Sequence, residues 1–261
     1  MTIPNIKPAI VILLFIALAV NFSFPLQGET EDFDWSPWET LLKAHMITGK
    51  KNGVEANLVD YRAIREAPEF RQIGQALDHY NPDNLTGKDK MAFYINCYNY
   101  FAAAMIIDNW PVESIRDIGN FFWPVWYQTA GRINGQSVTL NQIEHEILRP
   151  MGDPRIHFAI NCASLSCPNL RNEIYSSDRL EQQLEDQTRR FLIDNSKGIT
   201  IQGNRLMVSQ IFEWYEEDFT NDHGILGFIR KYREIPAVIS EVDYIPYNWQ
   251  LNALNYNEPA K

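Results

Sequence analysis

One short stretch of the chain, residues 155–168, carries side chains that suit a nucleophile, a base and several hydrogen-bond donors. Its polar members with such roles are His157, Asn161, Cys162, Ser164, Ser166 and Cys167. A cysteine becomes nucleophilic when a nearby imidazole or helix N-terminus favours its thiolate. The stretch therefore predicts thiol chemistry, with Cys162 or Cys167 as the nucleophile, His157 as a candidate base and the remaining polar residues lining the site.

A second imidazole, His145, lies in a predicted helix over residues 140–149 that also holds Glu144. The short connector over residues 150–154 returns the chain antiparallel, which would bring His145 beside His157. His145 is therefore an alternative base, and Glu144 is a candidate to orient an imidazole. Because adjacent helical residues point about 100° apart, Glu144 is not automatically the partner of His145.

The segment that holds His157 has the alternation of a strand, with Ile156, Phe158 and Ile160 at every second position. We expect these three side chains on one face and His157 on the other. If the strand stays extended, His157 and Cys162 lie about 16 Å apart. A direct pair would need a sharp turn.

The strongest helix prediction covers residues 88–108, where apolar side chains surround most of the circumference. Asn96 and Asn99 lie on one stripe of this helix between alanines. A buried amide without a partner costs about 1–3 kcal/mol, so both must be hydrogen-bonded. They either bond the backbone of a neighbouring loop, or they shape the loop around Cys162 or polarise a substrate carbonyl there.

The remaining pattern predicts an α+β fold, with a helix-rich N-terminal half packed on a small antiparallel sheet from the second half. Asn134-Gly135 and Gly203-Asn204 predict two hairpins, and residues 242–251 predict a late strand. Further helices are expected over residues 35–47, 61–80, 178–195, 209–219 and 225–232. The aromatic run over residues 121–127 is expected in the core or as a wall of a ligand site.

The first 28 residues are typical of a signal peptide, since Lys7 precedes an apolar run of about twelve residues, too short for a spanning helix. This predicts a periplasmic or secreted protein with one domain over residues 29–261. An uncleaved anchor is the alternative, and it would be the protein's link to a membrane.

Without residues 1–28 the chain has 22 basic and 33 acidic residues, a net charge of −11, which argues against nucleic acid as a partner. Export would place Cys97, Cys162 and Cys167 in an oxidising compartment. A Cys162–Cys167 disulfide is therefore an alternative to a reactive thiol. A zinc site from both cysteines, His145 and His157 lacks supporting spacing, so no metal or other cofactor is predicted.

Several blocks of the chain, in order, resemble the DUF547 family of unknown function. They are residues 93–99, 140–149, 155–171 and 247–252, and the likeness is best over residues 88–219. There is also a more distant likeness to papain- and transglutaminase-like thiol folds. The position of Cys97 is usually apolar in the family, which implies a core residue rather than a nucleophile. The position of Cys167 is Ser in some plant-type members, which implies that Cys162 is the nucleophile and that a disulfide is not obligatory.

Two functions remain open from these residues. The first is a cysteine-dependent hydrolase or acyltransferase that acts on an amide or peptide-like bond of a small molecule or peptide. The second is a non-catalytic periplasmic binding or scaffold domain, in which the same polar residues form a buried network and the disulfide is structural.

Overall fold

The computed structural model describes residues 32–254, so the predicted signal peptide lies outside the described residues. Contacts group the described residues from Phe33 onward as one unit. Its helices within the described part of the chain are α1 (Ser36–His45), α2 (Tyr61–Glu66), α3 (Pro68–His79), α4 (Gly87–Asp108), α5 (Ile156–Ala159), α6 (Leu180–Ile193), α7 (Ile211–Trp214) and α8 (Gly224–Arg230).

Strands form three small sheets between these helices. They are β1 (Met46–Lys51), β2 (Val54–Val59), β3 (Thr129–Ile133), β4 (Gln136–Thr139), β5 (Ile199–Gln202), β6 (Arg205–Ser209) and β7 (Glu241–Ile245). The pairs β1–β2, β3–β4 and β5–β6 are antiparallel, and β7 joins β6 in parallel. The predicted α+β class is confirmed.

Helix α4 is the central element, because every side chain from Met91 to Ile107 is buried. One apolar cluster surrounds it and includes Trp38, Phe70 and Ile106. A second cluster is built on Phe158, with aromatic neighbours from α7, α8 and the turn between them. The predicted burial and extent of this helix are therefore confirmed.

The hairpin at Asn134-Gly135 is confirmed, and a further hairpin at Asn52-Gly53 was missed. Both residues of each turn have a positive φ, as a tight two-residue turn requires. The predicted helix over residues 140–149 is helical, but Gln142–Leu148 winds as a π-helix.

The predicted strand over residues 242–251 ends early, at Ile245. Pro246 follows and has no amide hydrogen to continue a ladder. The amide of Tyr247 then donates to the side chain of Gln210 at 3.0 Å. This break directs residues 247–249 toward the site described below.

None of the helices within residues 32–254 combines the length and the apolarity that crossing a membrane requires.

Candidate active site

A cleft of about 320 Å³ brings together five of the predicted site residues. They are Glu144, His145, His157, Cys162 and Cys167. Its wall also includes three tryptophans and three tyrosines, namely Trp126, Trp214, Trp249, Tyr98, Tyr215 and Tyr247. The convergence of sulfur and imidazole groups on one cleft is therefore present.

The predicted strand at His157 was wrong, because residues 156–159 form the single helical turn α5. The side chain of Asp153 accepts from the amide of Arg155 at 2.9 Å, and the carbonyl of Pro154 accepts from the amide of His157. These bonds start a helix. All four side chains of α5 are buried. The apolar residues at every second position therefore do not mark one face of a strand.

The loop after α5 turns sharply at Ala163, whose φ is +63°. A non-glycine residue in this region is uncommon and is retained when its surroundings fix it. Asn161 supplies that support, since its side-chain oxygen accepts from the amide of Ala163 at 2.8 Å and its nitrogen donates to Pro168 at 2.7 Å. Asn161 therefore shapes the cysteine loop from inside.

The two sulfurs of the loop lie in one hydrogen-bonded group. Cys167 Sγ accepts from the amide of Cys162 and from the hydroxyl of Tyr247, each at 3.1 Å. Cys162 Sγ lies 3.2 Å from Ser164 Oγ and 3.6 Å from Tyr247 Oη. Both thiols are free, so the alternative of a Cys162–Cys167 disulfide does not hold in this structure.

The charge of this pair is best placed on Cys167. Burial opposes its ionisation, but hydrogen bonds from Cys162, Ser164 and Tyr247 outweigh burial and lower the pKa of Cys167 to about 6. The Cys162 thiol donates to Cys167, which together with burial raises the pKa of Cys162 well above its ordinary value. At neutral pH the pair therefore holds one proton between two sulfurs.

The two serines have different roles in the same loop. Ser164 Oγ lies 3.2 Å from Tyr247 Oη, inside the sulfur group. Ser166 instead accepts from the amide of Asn248 at 2.8 Å. Ser166 therefore ties the loop to the late segment that carries Tyr247 and does not line the cleft.

His157 forms the other end of the cleft and is buried. Its Nε2 lies 2.6 Å from Asp218 Oδ2, and its ring stacks on Tyr215 with 3.9 Å between centroids. Arg149 bonds both oxygens of Asp218, at 2.7 and 2.8 Å. Burial raises the pKa of Asp218, but the bonds from His157 and Arg149 dominate and hold that pKa well below its usual range.

Glu144 does not orient His157 by a hydrogen bond. Its Oε1 lies 3.9 Å from His157 Nδ1, beyond hydrogen-bond distance, and Nδ1 has no hydrogen-bond partner. Asp218, on the other ring nitrogen, fixes the ring instead. The predicted orienting role of Glu144 is therefore replaced by Asp218, which leaves the second nitrogen of His157 unbonded.

His145 lies at the exposed edge of the cleft, with its Nδ1 2.9 Å from Arg149 Nη1. Among residues 32–254, no hydrogen bond joins either imidazole to a cysteine sulfur. The predicted direct pair of Cys162 with His157 or His145 is therefore not formed. The sulfur end and the imidazole end face one cleft without touching.

The two amides of α4 hold different backbone segments. Asn99 accepts from the amide of Asn161 at 2.7 Å and donates to the carbonyl of Ala159 at 3.0 Å. Asn96 makes the same two bonds to Tyr175, at 2.9 and 2.8 Å. Asn99 therefore positions the cysteine loop, whereas Asn96 positions a different loop, and neither amide is available to a substrate.

The sequence analysis missed Asp218, Arg149, Tyr215 and Lys197. Lys197 is 2% exposed and donates to Asn169 at 2.7 Å and to the carbonyl of Leu165 at 3.3 Å, on both sides of Cys167. Burial lowers the pKa of Lys197 to about 8. No local pattern singles out Asp218 within its acidic run, because its partners are far away in sequence.

No group of three or more His, Cys, Asp or Glu side chains in the described chain is placed to hold an ion. The four side chains weighed as zinc ligands are thus divided between the two ends of the cleft.

Comparison with known proteins gives a family and no function. No curated protein and no solved structure matches the chain. The family model described as "Protein of unknown function, DUF547" matches residues 82–192, a range that includes α4, the π-helix and the cysteine loop. The match confirms, over residues 82–192, the resemblance predicted from the sequence.

Proposed function

We propose that this protein is a cysteine-dependent hydrolase or acyltransferase that acts on an amide or peptide-like bond. One observation carries the proposal. Cys162 is a free, partly exposed thiol that is hydrogen-bonded to the thiol of Cys167, and it lies on the cleft that also holds the His157–Asp218 pair. A nucleophile, its proton acceptor and a second acid–base group are the components that acyl transfer requires.

Activation of Cys162 begins with Cys167. The Cys167 sulfur is the better anion, so it takes the proton of Cys162 as that sulfur attacks a bound carbonyl. Cys162 is the attacking atom because Cys167 is buried. This assigns to Cys167 the base role that the sequence assigned to an imidazole.

The oxyanion formed by this attack requires a donor close to Cys162. Tyr247 Oη is 3.6 Å from Cys162 Sγ. Once Cys167 has taken the proton of Cys162, the Tyr247 hydroxyl turns from Cys167 to donate to that oxygen. Asn96 and Asn99, the groups first considered for this role, are occupied by the backbone. The oxyanion donor is therefore assigned to Tyr247.

His157 then serves the leaving group. With Nε2 bound to Asp218, its Nδ1 is the nitrogen that exchanges protons. It donates one proton to the departing amine and afterwards accepts one from the water or acceptor that cleaves the thioester. The substrate spans the gap between the two ends, which explains why no hydrogen bond crosses it.

The size and lining of the cleft suit a small acyl group. About 320 Å³ lies at the lower end of the range for ligand pockets, and the aromatic wall favours an apolar group beside the reacting carbonyl. A small-molecule or short peptide substrate is therefore preferred to an extended polymer.

Export belongs to the same proposal. The apolar run near the N-terminus supports cleavage after a signal segment and a periplasmic or secreted location. N-terminal sequencing of protein recovered outside the cytoplasm should find the first 28 residues or so removed. Recovery of an intact N-terminus from the cytoplasm would contradict export.

A non-catalytic binding domain is the second candidate. It is favoured by the gap between His157 and Cys162, because a binding cleft needs no imidazole near the thiol. In this version the thiols are free and the cleft binds an apolar group without turnover.

Acyl transfer to the protein distinguishes the two candidates. Protein mixed with p-nitrophenyl acetate and quenched in acid should carry one acetyl group on Cys162 by mass spectrometry, with release of further nitrophenol as the thioester hydrolyses. Cys162→Ala should abolish the adduct, whereas Cys97→Ala, which changes a buried thiol of α4, should retain it. Acetylation absent from Cys162, or spread equally over surface lysines, would overturn the proposed function.

A further inference from the structure

A loop beside the cleft presents three large apolar side chains to solvent. Phe121, Phe122 and Trp123 are 92%, 88% and 59% exposed, and we call residues 120–123 the aromatic tip. Residues 121–127 were expected in the core or in the wall of a ligand site. The core expectation was wrong for the aromatic tip, and Trp126 is the one residue of this run that lines the cleft. Adjacent exposed aromatic groups of this size usually mark an interaction site.

The tip is held in its exposed position by its own backbone. The side chain of Asn120 accepts from the amides of Phe122 and Trp123, at 2.9 and 2.8 Å. The amide of Asn120 donates to the carbonyl of Trp123 at 3.1 Å. At the base, Gly119 packs so closely on Val125 that a Cβ would lie 2.4 Å from its amide nitrogen. These bonds fix the loop through its backbone and the Asn120 side chain.

We propose that the aromatic tip inserts into the interfacial region of a zwitterionic lipid bilayer. Tryptophan and phenylalanine favour that region, where an apolar ring enters the acyl boundary. The sequence has no charged residue between Asp117 and Arg132, so insertion would bury no charge from the loop. The acidic chain as a whole makes an anionic surface the less favourable membrane.

The size of the tip argues for a bilayer rather than a protein partner. Three aromatic side chains present on the order of 500 Å². A stable protein interface buries about 800 Å² on each partner. A bilayer needs no matching flat surface, because lipid closes around a small protruding tip.

The tip is also continuous with the wall of the cleft. Three residues after Trp123, Trp126 packs 5.9 Å from Trp249, which in turn packs 4.5 Å from Tyr247. Tyr247 reaches both sulfurs through its hydroxyl. Docking at the tip would therefore place the sulfur end of the cleft close to lipid, although insertion itself does not depend on the proposed acyl transfer.

Flotation with phosphatidylcholine vesicles tests the proposal, using protein recovered from an exporting cell. The wild type should float with the vesicles, and the triple variant F121S/F122S/W123S should lose at least about tenfold in bound fraction. The matched control I193S/V238S removes two exposed apolar side chains elsewhere and should bind like the wild type. Adding phosphatidylglycerol should not increase binding.

Three results would overturn the proposal: no flotation of the wild type, equal flotation of the triple variant, or equal losses in the triple variant and the control. Light scattering should find the same mass for the wild type and the triple variant. A dimer that the triple substitution dissociates would instead identify a second copy as the occupant. Acetylation of Cys162 by p-nitrophenyl acetate, measured on the same variants without vesicles, reports separately on the proposed function.

Discussion

The two ends of the cleft are built in different ways. At the sulfur end, Cys162 and Cys167 share one short loop, and their neighbours are hydroxyls and a backbone amide. At the imidazole end, Arg149, His157 and Asp218 form a charged network in which Asp218 lies 61 positions from His157. The first arrangement is set largely by local turns, and the second depends on the tertiary fold.

This difference indicates a division of chemical work. A thiol pair stabilised by neutral hydrogen-bond donors suits nucleophilic attack of sulfur on a carbonyl. An imidazole bound to an ionised carboxylate suits proton transfer. Because no hydrogen bond joins the two groups in the described chain, a change at the imidazole end should slow thioester hydrolysis and leave the attack of Cys162 on an activated ester intact.

The largest effect is expected from Asp218→Asn. The amide cannot stabilise a charged imidazole, so hydrolysis of the acetyl-enzyme should slow by about 10³-fold. Formation of the Cys162 adduct from p-nitrophenyl acetate should change little, because nitrophenolate leaves without a proton from His157. Rapid-quench mass spectrometry separates the two steps, and equal slowing of both would break the proposed division.

A large effect on the sulfur end is expected from Asn99→Leu. Two buried backbone groups, at Ala159 and Asn161, lose their partners, which should lower the free energy of unfolding by about 2–4 kcal/mol. The pH profile of Cys162 alkylation should also shift to higher pH, because Asn99 no longer holds the cysteine loop in position. Urea unfolding and iodoacetamide kinetics measure the two effects.

Asn96→Leu is the matched control for this substitution. It removes the same pair of bonds from Tyr175 and should cost similar stability. Its Cys162 kinetics should remain those of the wild type. If both variants alter the thiol equally, α4 stabilises the whole fold and does not position the sulfur end through Asn99.

A smaller effect is expected from Tyr247→Phe, which removes the hydroxyl that donates to Cys167 at 3.1 Å. Without this bond to the thiolate, the pKa of Cys167 should rise by about one unit. The midpoint of the pH profile for thiol alkylation measures that change. Tyr215→Phe, at the imidazole end, should leave the midpoint where it is.

The smallest effect concerns acid stability. The pKa of Asp218 is lower in the folded protein than in the unfolded chain, so its stabilisation is present above about pH 4 and fades as pH falls further. Solvent screening limits this contribution to about 1 kcal/mol. Between pH 6 and pH 3, the free energy of unfolding measured with urea should therefore fall less in Asp218→Asn than in the wild type.

Local patterns predicted the sulfur end better than the imidazole end. The cysteine loop, its small polar residues and Asn99 could be identified because they are close in sequence or share one helix stripe. Asp218 could not be identified, since its role depends on a carboxylate in a 3₁₀ turn packing against a distant helical turn. Glu144 had the right neighbours in sequence and lies too far from His157 to bond it.

The fold shows the same limit. Helix α4 was predicted within one residue because its apolar surface is continuous over many turns. Residues 156–160 were assigned to a strand because so short an apolar run does not distinguish a strand from a buried helical turn. The missed hairpin at Asn52-Gly53 had the same turn signal as the one that was found at Asn134-Gly135.

The pH dependence of Cys162 alkylation by iodoacetamide tests the central claim most directly. In the wild type, reactivity should rise with a midpoint near 6, because Cys167, once ionised, takes the proton of Cys162 as that sulfur reacts. In Cys167→Ser the midpoint should return toward about 8.5, the value of an ordinary thiol. A wild-type midpoint already near 8.5, or one that Cys167→Ser leaves unchanged, would contradict an activated pair.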